Sequence, residues 1–314
     1  MIKTFDIVGH RKIFYIISIS IIVIAIAFSA IFGVKLAIEF KGGTLISYSY
    51  SGDVDTAKIE KTASDIVGQE ITITETQNFK DKSKYIQLSF ASSSGLTADL
   101  QTKLTTALKE SYPQNALSLY SSSDVNPSTG ISFFRKCLLA VIFASIILIL
   151  YIAFRFKKIS GWSAGVMAII ALLHDVLVVY ATFVLFRIPI DANFMAVALT
   201  ILGFSINDTI VIYDRIRENQ KMYGKKWSNA ELVNTSINQS LTRSINTTAA
   251  AVISMVVVTI VALLFGVNSI ISFSFPLVIG MISGAYSTIC VAGPLWVDWQ
   301  NFKDKHKPSY SEKK

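Results

Sequence analysis

From Ser244 to Val297 the sequence reads SINTTAAAVISMVVVTIVALLFGVNSIISFSFPLVIGMISGAYSTICVAGPLWV, 54 positions without a charged residue. A helix of about 20 apolar residues crosses the roughly 30 Å hydrocarbon layer of a bilayer. The run is therefore too long for one crossing and long enough for two. Gly266-Val267-Asn268-Ser269 places turn chemistry at its middle. That divides it into a span over Ile245–Phe265 and another over Phe275–Trp296.

Upstream of this pair, four more apolar runs have the same character: Ile13–Phe32, Cys137–Phe154, Trp162–Phe186 and Phe194–Tyr213. The first is too long for the apolar region of a secretory signal and lacks a small-residue cleavage site, so it reads as an uncleaved span. Composition agrees with a chain solvated largely by lipid. Of the 314 residues 52% are hydrophobic and 16% charged, where soluble domains carry about 25% charged residues. The net charge of +8 is not a nucleic-acid signature, because the lysines and arginines gather beside the apolar runs. Segments 1–12, 155–158, 214–243 and 298–314 hold 17 of them, whereas 187–194 holds one and 266–273 none. By the positive-inside rule both termini are cytoplasmic, and the chain reads as a multi-pass inner-membrane protein. Cys137 and Cys290 lie in apolar runs and read as small buried hydrophobes; no metal-ligand or cofactor spacing is present.

Between the first two spans the patterning changes. Thr44–Tyr50, Ile71–Thr76 and Tyr85–Phe90 read as strands. Val54–Val67 reads as a helix with Ile59, Ala63, Ile66 and Val67 on one face. Leu96–Tyr112 reads as a second helix, striped by Leu100, Leu104, Ala107 and Leu108, with Thr97 near its N-cap. Ala116–Tyr120 is a last strand, and Ser121–Gly130 a hinge back to the membrane. The order β-α-β-β-α-β is that of an α+β, ferredoxin-like domain, outside the cytoplasm. Gly42-Gly43 suits a tight turn at its entrance. The chain accordingly divides into 1–34 (cytoplasmic end and first span), 35–132 (extracytoplasmic ferredoxin-like domain), 133–297 (spans two to six) and 298–314 (basic cytoplasmic tail).

Polar residues inside apolar helices are the functional candidates, since a charge at the bilayer centre costs about 2.5 kcal/mol or more. Ser205-Ile206-Asn207-Asp208-Thr209 is the densest cluster. Ser205 and Asp208 share one helix face; Thr200, Gly203, Asn207 and Asp214 share the next. Asp208 reads either as a carboxylate that takes up and releases protons or as a structural group in helix packing. His174-Asp175, within the third span, is open to the same two readings. Arg243, with Asn246 and Thr247 on its face, is either the counter-charge of Asp208 or an interfacial anchor. Gly280 and Gly284 form a GxxxG pair that permits close helix approach. No nucleotide-binding loop or hydrolytic constellation occurs, which argues against an enzyme.

These stretches resemble the SecF family of bacterial protein-export membrane subunits, within the resistance-nodulation-division superfamily. The resemblance rests on Leu202-Gly203-Phe204-Ser205-Ile206-Asn207-Asp208-Thr209 followed by Asp214-Arg215-Ile216-Arg217-Glu218-Asn219. It extends to Phe5-Asp6-Ile7-Val8-Gly9, Glu39-Phe40-Lys41-Gly42-Gly43-Thr44, Leu173-His174-Asp175, Leu241-Thr242-Arg243-Ser244-Ile245-Asn246-Thr247, and Gly284-Ala285-Tyr286-Ser287 with Pro294. The family usually carries Asp at the position of Glu39 and often Thr at that of Ala285. The resemblance implies a partner, SecD, in a pseudo-symmetric complex that acts with the SecYEG translocon on emerging preproteins and draws on the proton-motive force late in export. It implies that Asp208 and Arg243 serve proton passage; Asn207, Asp175 and His174 are read, from their positions in the apolar spans, as further candidates for the same path. A small-molecule or lipid exporter half-unit of the same superfamily, or a translocon scaffold that transports nothing, stand as alternatives.

Overall fold

The computed structural model describes residues 5–69, 71–77, 84–90, 96–125, 127–159, 161–224 and 226–306. Six helical segments are long and apolar enough to cross a membrane. The first is α1 (Arg11–Phe32) and the second α5 (Pro127–Arg155). Then come α6 (Gly161–Leu185), α7 (Ala192–Tyr223) and α8 (Asn229–Leu264). The sixth combines α9 (Asn268–Ser287), a π-helical turn over Thr288–Ala292, and α10 (Gly293–Lys305). Gly266, at φ 67°, makes the reversal between α8 and α9, a backbone region that glycine enters without penalty. The last span begins at Asn268 rather than near Phe275, with Pro276 accommodated inside α9.

In chain order the remaining elements lie between α1 and α5. They are α2 (Ile38–Lys41), β1 (Gly43–Tyr50), α3 (Thr56–Val67), β2 (Ile71–Gln77), β3 (Lys84–Phe90), α4 (Ala98–Ser111) and β4 (Ser118–Val125). The strands form one antiparallel sheet in the order β2-β3-β1-β4, with Ile46 opposite Leu88 and Ser122. Alternation along β1 and β3 turns Ile46, Tyr48, Ile86 and Leu88 inward against Ile59 and Ala63 of α3 and Leu104 and Leu108 of α4. Helix α3 starts where Asp55 accepts the Lys58 amide and stops at left-handed Gly68. Thr97 stands at the N-cap of α4, but its side chain makes no capping bond.

The segment expected as a hinge, Ser121–Gly130, is regular structure over its described residues. Ser121–Val125 complete β4, and α5 already begins at Pro127; position 126 lies outside the described residues. Ser121, Ser122 and Ser123 pair along β1 through their backbones. Their side chains are exposed, so this edge strand carries no alternating pattern. A bulge between Ser47 and Tyr48 leaves Tyr120 as the extra residue, its ring 4.7 Å from that of Tyr85.

Helices α6, α7 and α9 form the centre of the membrane unit, whereas α1 and α5 expose most of their apolar surface. Small residues set the central spacing. A Cβ on Gly280 would stand 2.7 Å from Ile201 and 2.8 Å from Val179, and one on Gly284 would stand 3.1 Å from the Ser205 Cβ. The GxxxG pair thus lies against α7 and α6. Pro294, buried, stands just after the π-helical turn in continuous helical backbone, and it has no N–H to donate to the preceding turn.

Candidate functional site

Helix α7 brings two polar centres together. Asp208 is 3% exposed, and its Oδ2 accepts a hydrogen bond from Thr248 Oγ1 of α8 at 3.2 Å. Arg243 lies on the same helix as Thr248, exposed, as are Asn246 and Thr247. Among the described residues no ion pair joins Arg243 to Asp208; the arginine faces outward instead. Asn207, next to Asp208, is also exposed, as are Thr200 and Gly203. Thr200, Gly203 and Asn207 of the stripe read from the sequence, with the Arg243 face of α8, are therefore left uncovered by the described residues, whereas Asp214 is half-buried and pairs with Arg155 and Arg217.

The second centre is Asp175 on α6, wholly buried. Its Oδ2 accepts from Ser205 Oγ of α7 at 2.8 Å and from Ser287 Oγ of α9 at 2.7 Å. Its Oδ1 accepts from Ser283 Oγ of α9 at 2.7 Å. The His174 Nδ1 lies 3.2 Å from the same Oδ1. One carboxyl group thus gathers hydroxyls from two neighbouring helices at ordinary O–H···O distances. His174 is 6% exposed, packs near the Tyr286 ring, and its Nε2 finds no partner among the described residues. Ser205 joins the two centres, since it sits three residues before Asp208. A Thr209–Thr288 hydroxyl pair at 3.0 Å continues the polar seam towards the π-helical turn. In that turn the regular hydrogen-bond ladder is widened.

Ser283 and Thr248 were not singled out in the sequence, and Ser287 only within a resemblance motif. Ser283 and Ser287, four apart in an apolar helix, share one face, and that spacing was the available signal. No group of three or more His, Cys, Asp or Glu side chains among the described residues is arranged to hold a metal.

At its amino end α7 is tied to the root of the sheet domain. Asp191 caps it by accepting the Phe194 amide at 3.2 Å. Glu39 of α2 accepts the Ala192 amide at 3.1 Å. Leu36 bridges Ile190 through Ala37 N–H to Ile190 O, 2.9 Å, and Ile190 N–H to Lys35 O, 2.8 Å. Arg187 donates to the carbonyls of Phe32 and Gly33. Gly42, the expected turn, closes α2 at φ 79°, and Gly43 follows at φ 150°. The exit of the domain meets its entrance at Gly130 of α5, where a Cβ would stand 2.9 Å from the carbonyl oxygens of Glu39 and Phe40.

Residues 102–302 match the profile of a family described as "Protein export membrane protein SecD/SecF, C-terminal". The chain belongs to the SecD/SecF protein-export family. It is 33% identical to the protein translocase subunit SecF of Alicyclobacillus acidocaldarius, over 95% of this chain and 93% of that one. It is also 33% identical to the protein translocase subunit SecDF of Bacillus subtilis, over 95% of this chain but 38% of the relative. The crystal structure of SecDF from Thermus thermophilus, titled a translocon-associated membrane protein, superposes with a TM-score of 0.78 at 28% identity. That match covers 95% of this chain and 39% of the structure. The chain thus spans well under half of the length of these two SecDF proteins.

Proposed function

We propose that this chain, paired with a SecD-type partner, uses the proton-motive force to promote late translocation of preproteins through SecYEG, and is not an enzyme. The observation that carries this reading is Asp208, buried at the rim of an exposed polar surface formed by Asn207 and the Arg243 face. A surface of this kind is costly against lipid. The fused relatives, in which a further chain segment is joined to the equivalent of this one, favour a SecD-type unit as its cover. The sheet domain is read as ferredoxin-like and extracytoplasmic. Its element order and the sheet order β2-β3-β1-β4 support the first, and the distribution of lysine and arginine supports the second, with both termini cytoplasmic.

In the mechanism, an ionised Asp208 accepts from Thr248 and draws Arg243, or a cation of the partner, towards it. Protonation turns the acceptor into a partial donor and weakens both contacts. Asp175, held by Ser205 on the same helix, and His174 lie beside this step as secondary proton carriers. A shift of α7 is passed along about 24 Å of helix to Glu39 and Ala192, and so to the root of the sheet domain, which moves with the emerging preprotein. The driving force is of the right size. Moving one charge through 100 mV yields about 2.3 kcal/mol, and swinging a two-state element from 1:99 to 99:1 takes about 5.5 kcal/mol. About three protons suffice.

The test is preprotein release in inverted membrane vesicles, with and without a proton gradient, comparing wild type with Asp208→Asn at equal complex abundance. The gradient-dependent part of release is expected to vanish in the variant. An intact gradient response in Asp208→Asn would remove Asp208 from the path and leave the scaffold reading.

A further inference from the structure

At the end of the bundle opposite the sheet domain, a cleft of about 350 Å³ opens between the second and third spans and α10. Ala153 and Phe154 of α5 and Gly161, Trp162 and Ser163 of α6 form its walls, and Lys157 and Lys303 stand over it. No carboxylate lines it, and neither lysine makes an ion pair among the described residues. The Lys157 Nζ lies 5.0 Å from the Phe154 ring centroid, and the Lys303 Nζ 5.7 Å from that of Trp299. Both ammonium groups lie within cation–π reach of these rings. Phe154 and Trp162 are 64% and 65% exposed, at the boundary where spans α5 and α6 end and begin.

A second cleft nearby makes the contrast. It is lined by Arg11, Asp298, Asn301, Phe302, Asp304 and Lys305. There the cation is already matched, since Arg11 pairs with Asp298 at 2.9 Å. Among the described residues, the first cleft has positive charge with no lining carboxylate beside an apolar wall, where one span ends and the next begins. Basic pockets between spans take anionic lipid headgroups, and interfacial tryptophan marks the headgroup level.

We propose that this cleft binds an anionic phospholipid, its phosphate between Lys157 and Lys303 and its acyl chains along Phe154 and Trp162. The site is independent of proton passage at Asp208. A free phosphate would satisfy the lysines equally but leave the aromatic wall unused, so the lipid is the occupant assigned.

The full chain is placed in nanodiscs of phosphatidylcholine with a small fraction of phosphatidylglycerol. Quenching of tryptophan fluorescence is compared with brominated phosphatidylglycerol and brominated phosphatidylcholine. Wild type is expected to show preferential quenching by the anionic lipid. The preference should fall about fivefold on Lys157→Gln or Lys303→Gln and about 30-fold in the double variant. It should persist in the Lys157→Arg/Lys303→Arg variant, which keeps the charge and controls for folding. Equal quenching by both lipids in wild type, or an unchanged preference in the double Gln variant, would overturn the site. Displacement of the brominated lipid by millimolar inorganic phosphate would overturn the lipid assignment in favour of a soluble anion.

Discussion

Ser205 Oγ donates to Asp175 Oδ2 at 2.8 Å, so the helix that carries Asp208 is bonded to α6 one turn away from Asp208. The same oxygen accepts Ser287 of α9. Any movement of α7 that follows protonation of Asp208 must therefore either carry α6 and α9 with it or break this bond.

Asp175→Asn should destabilise the bundle, because the amide nitrogen cannot accept the hydroxyls that Oδ1 or Oδ2 now receives. Leaving buried donors unmatched costs on the order of 3 kcal/mol, visible as a lowered thermal midpoint in detergent. Ser283→Ala and Ser287→Ala should each cost on the order of 1 kcal/mol, as for a typical side-chain hydrogen bond. Because both serines serve one carboxylate, their double variant should depart from additivity by at least about 0.5 kcal/mol. Strict additivity would show that the two bonds do not act as one network.

Gly284→Ala tests the close approach of α9 to α7. The new methyl would lie 3.1 Å from the Ser205 Cβ and push Ser205 from Asp175. A cost of about 1–3 kcal/mol is expected from overpacking. Gly284→Ala combined with Ser205→Gly should recover most of the packing loss but not the Ser205 hydrogen bond. If Gly284→Ala were neutral in thermal stability, the tight spacing of these helices would not be a requirement of the fold.

Much of this was legible in the sequence where one period or one long apolar run carried the information. The spans followed from hydropathy, the α3 face from Ile59 and Ala63, and the outlying character of Asp208, Asp175 and His174 from their charge in apolar surroundings. The glycines of the GxxxG pair were legible as a spacing, but not which helix they meet. Other features had no such signal. Four residues, Ile38–Lys41, are too few for a helical period. Ser121, Ser122 and Ser123 extend an edge strand whose side chains are exposed, so nothing alternates. The donors around Asp175 come from positions 205, 283 and 287, and hydroxyls weigh too little on a hydropathy scale to stand out. Only the packing of α6, α7 and α9 brings them together.

Asp191, at the amino end of α7, gives a pH test outside the spans. Burial pushes its carboxyl above the ordinary range; the nearby Glu39 adds to this, and the Phe194 amide opposes it. A carboxyl whose folded value is raised binds its proton more tightly in the folded state. Stability should then fall as pH rises from about 4 through the folded value. Asp191→Asn keeps an oxygen to cap the Phe194 amide and removes the titration. The variant should show a flatter thermal midpoint between about pH 4 and 7 and be no less stable than wild type at pH 7. An identical pH profile for both proteins would exclude Asp191 as the source.

Glu39 offers the most direct test of how the sheet domain is held. Its carboxylate accepts the Ala192 amide, an otherwise unpaired donor in the first turn of α7, and a negative charge there also suits the positive end of the helix. Glu39→Gln retains an acceptor oxygen, whereas Glu39→Ala retains nothing. The loss to Ala should be about 0.5–2 kcal/mol, as for a helix cap, too small to unfold the bundle but enough to loosen the root. Paired spin labels at Lys61 on α3 and Lys221 on α7, in a background with Cys137 and Cys290 replaced, would report the distance between domain and bundle. A broadened distribution for Glu39→Ala, with Glu39→Gln close to wild type, is expected. The Leu36–Ile190 bridge remains in both variants. Equal widths in all three proteins would therefore mean that this bridge and the Gly130 contact hold the root without help from Glu39.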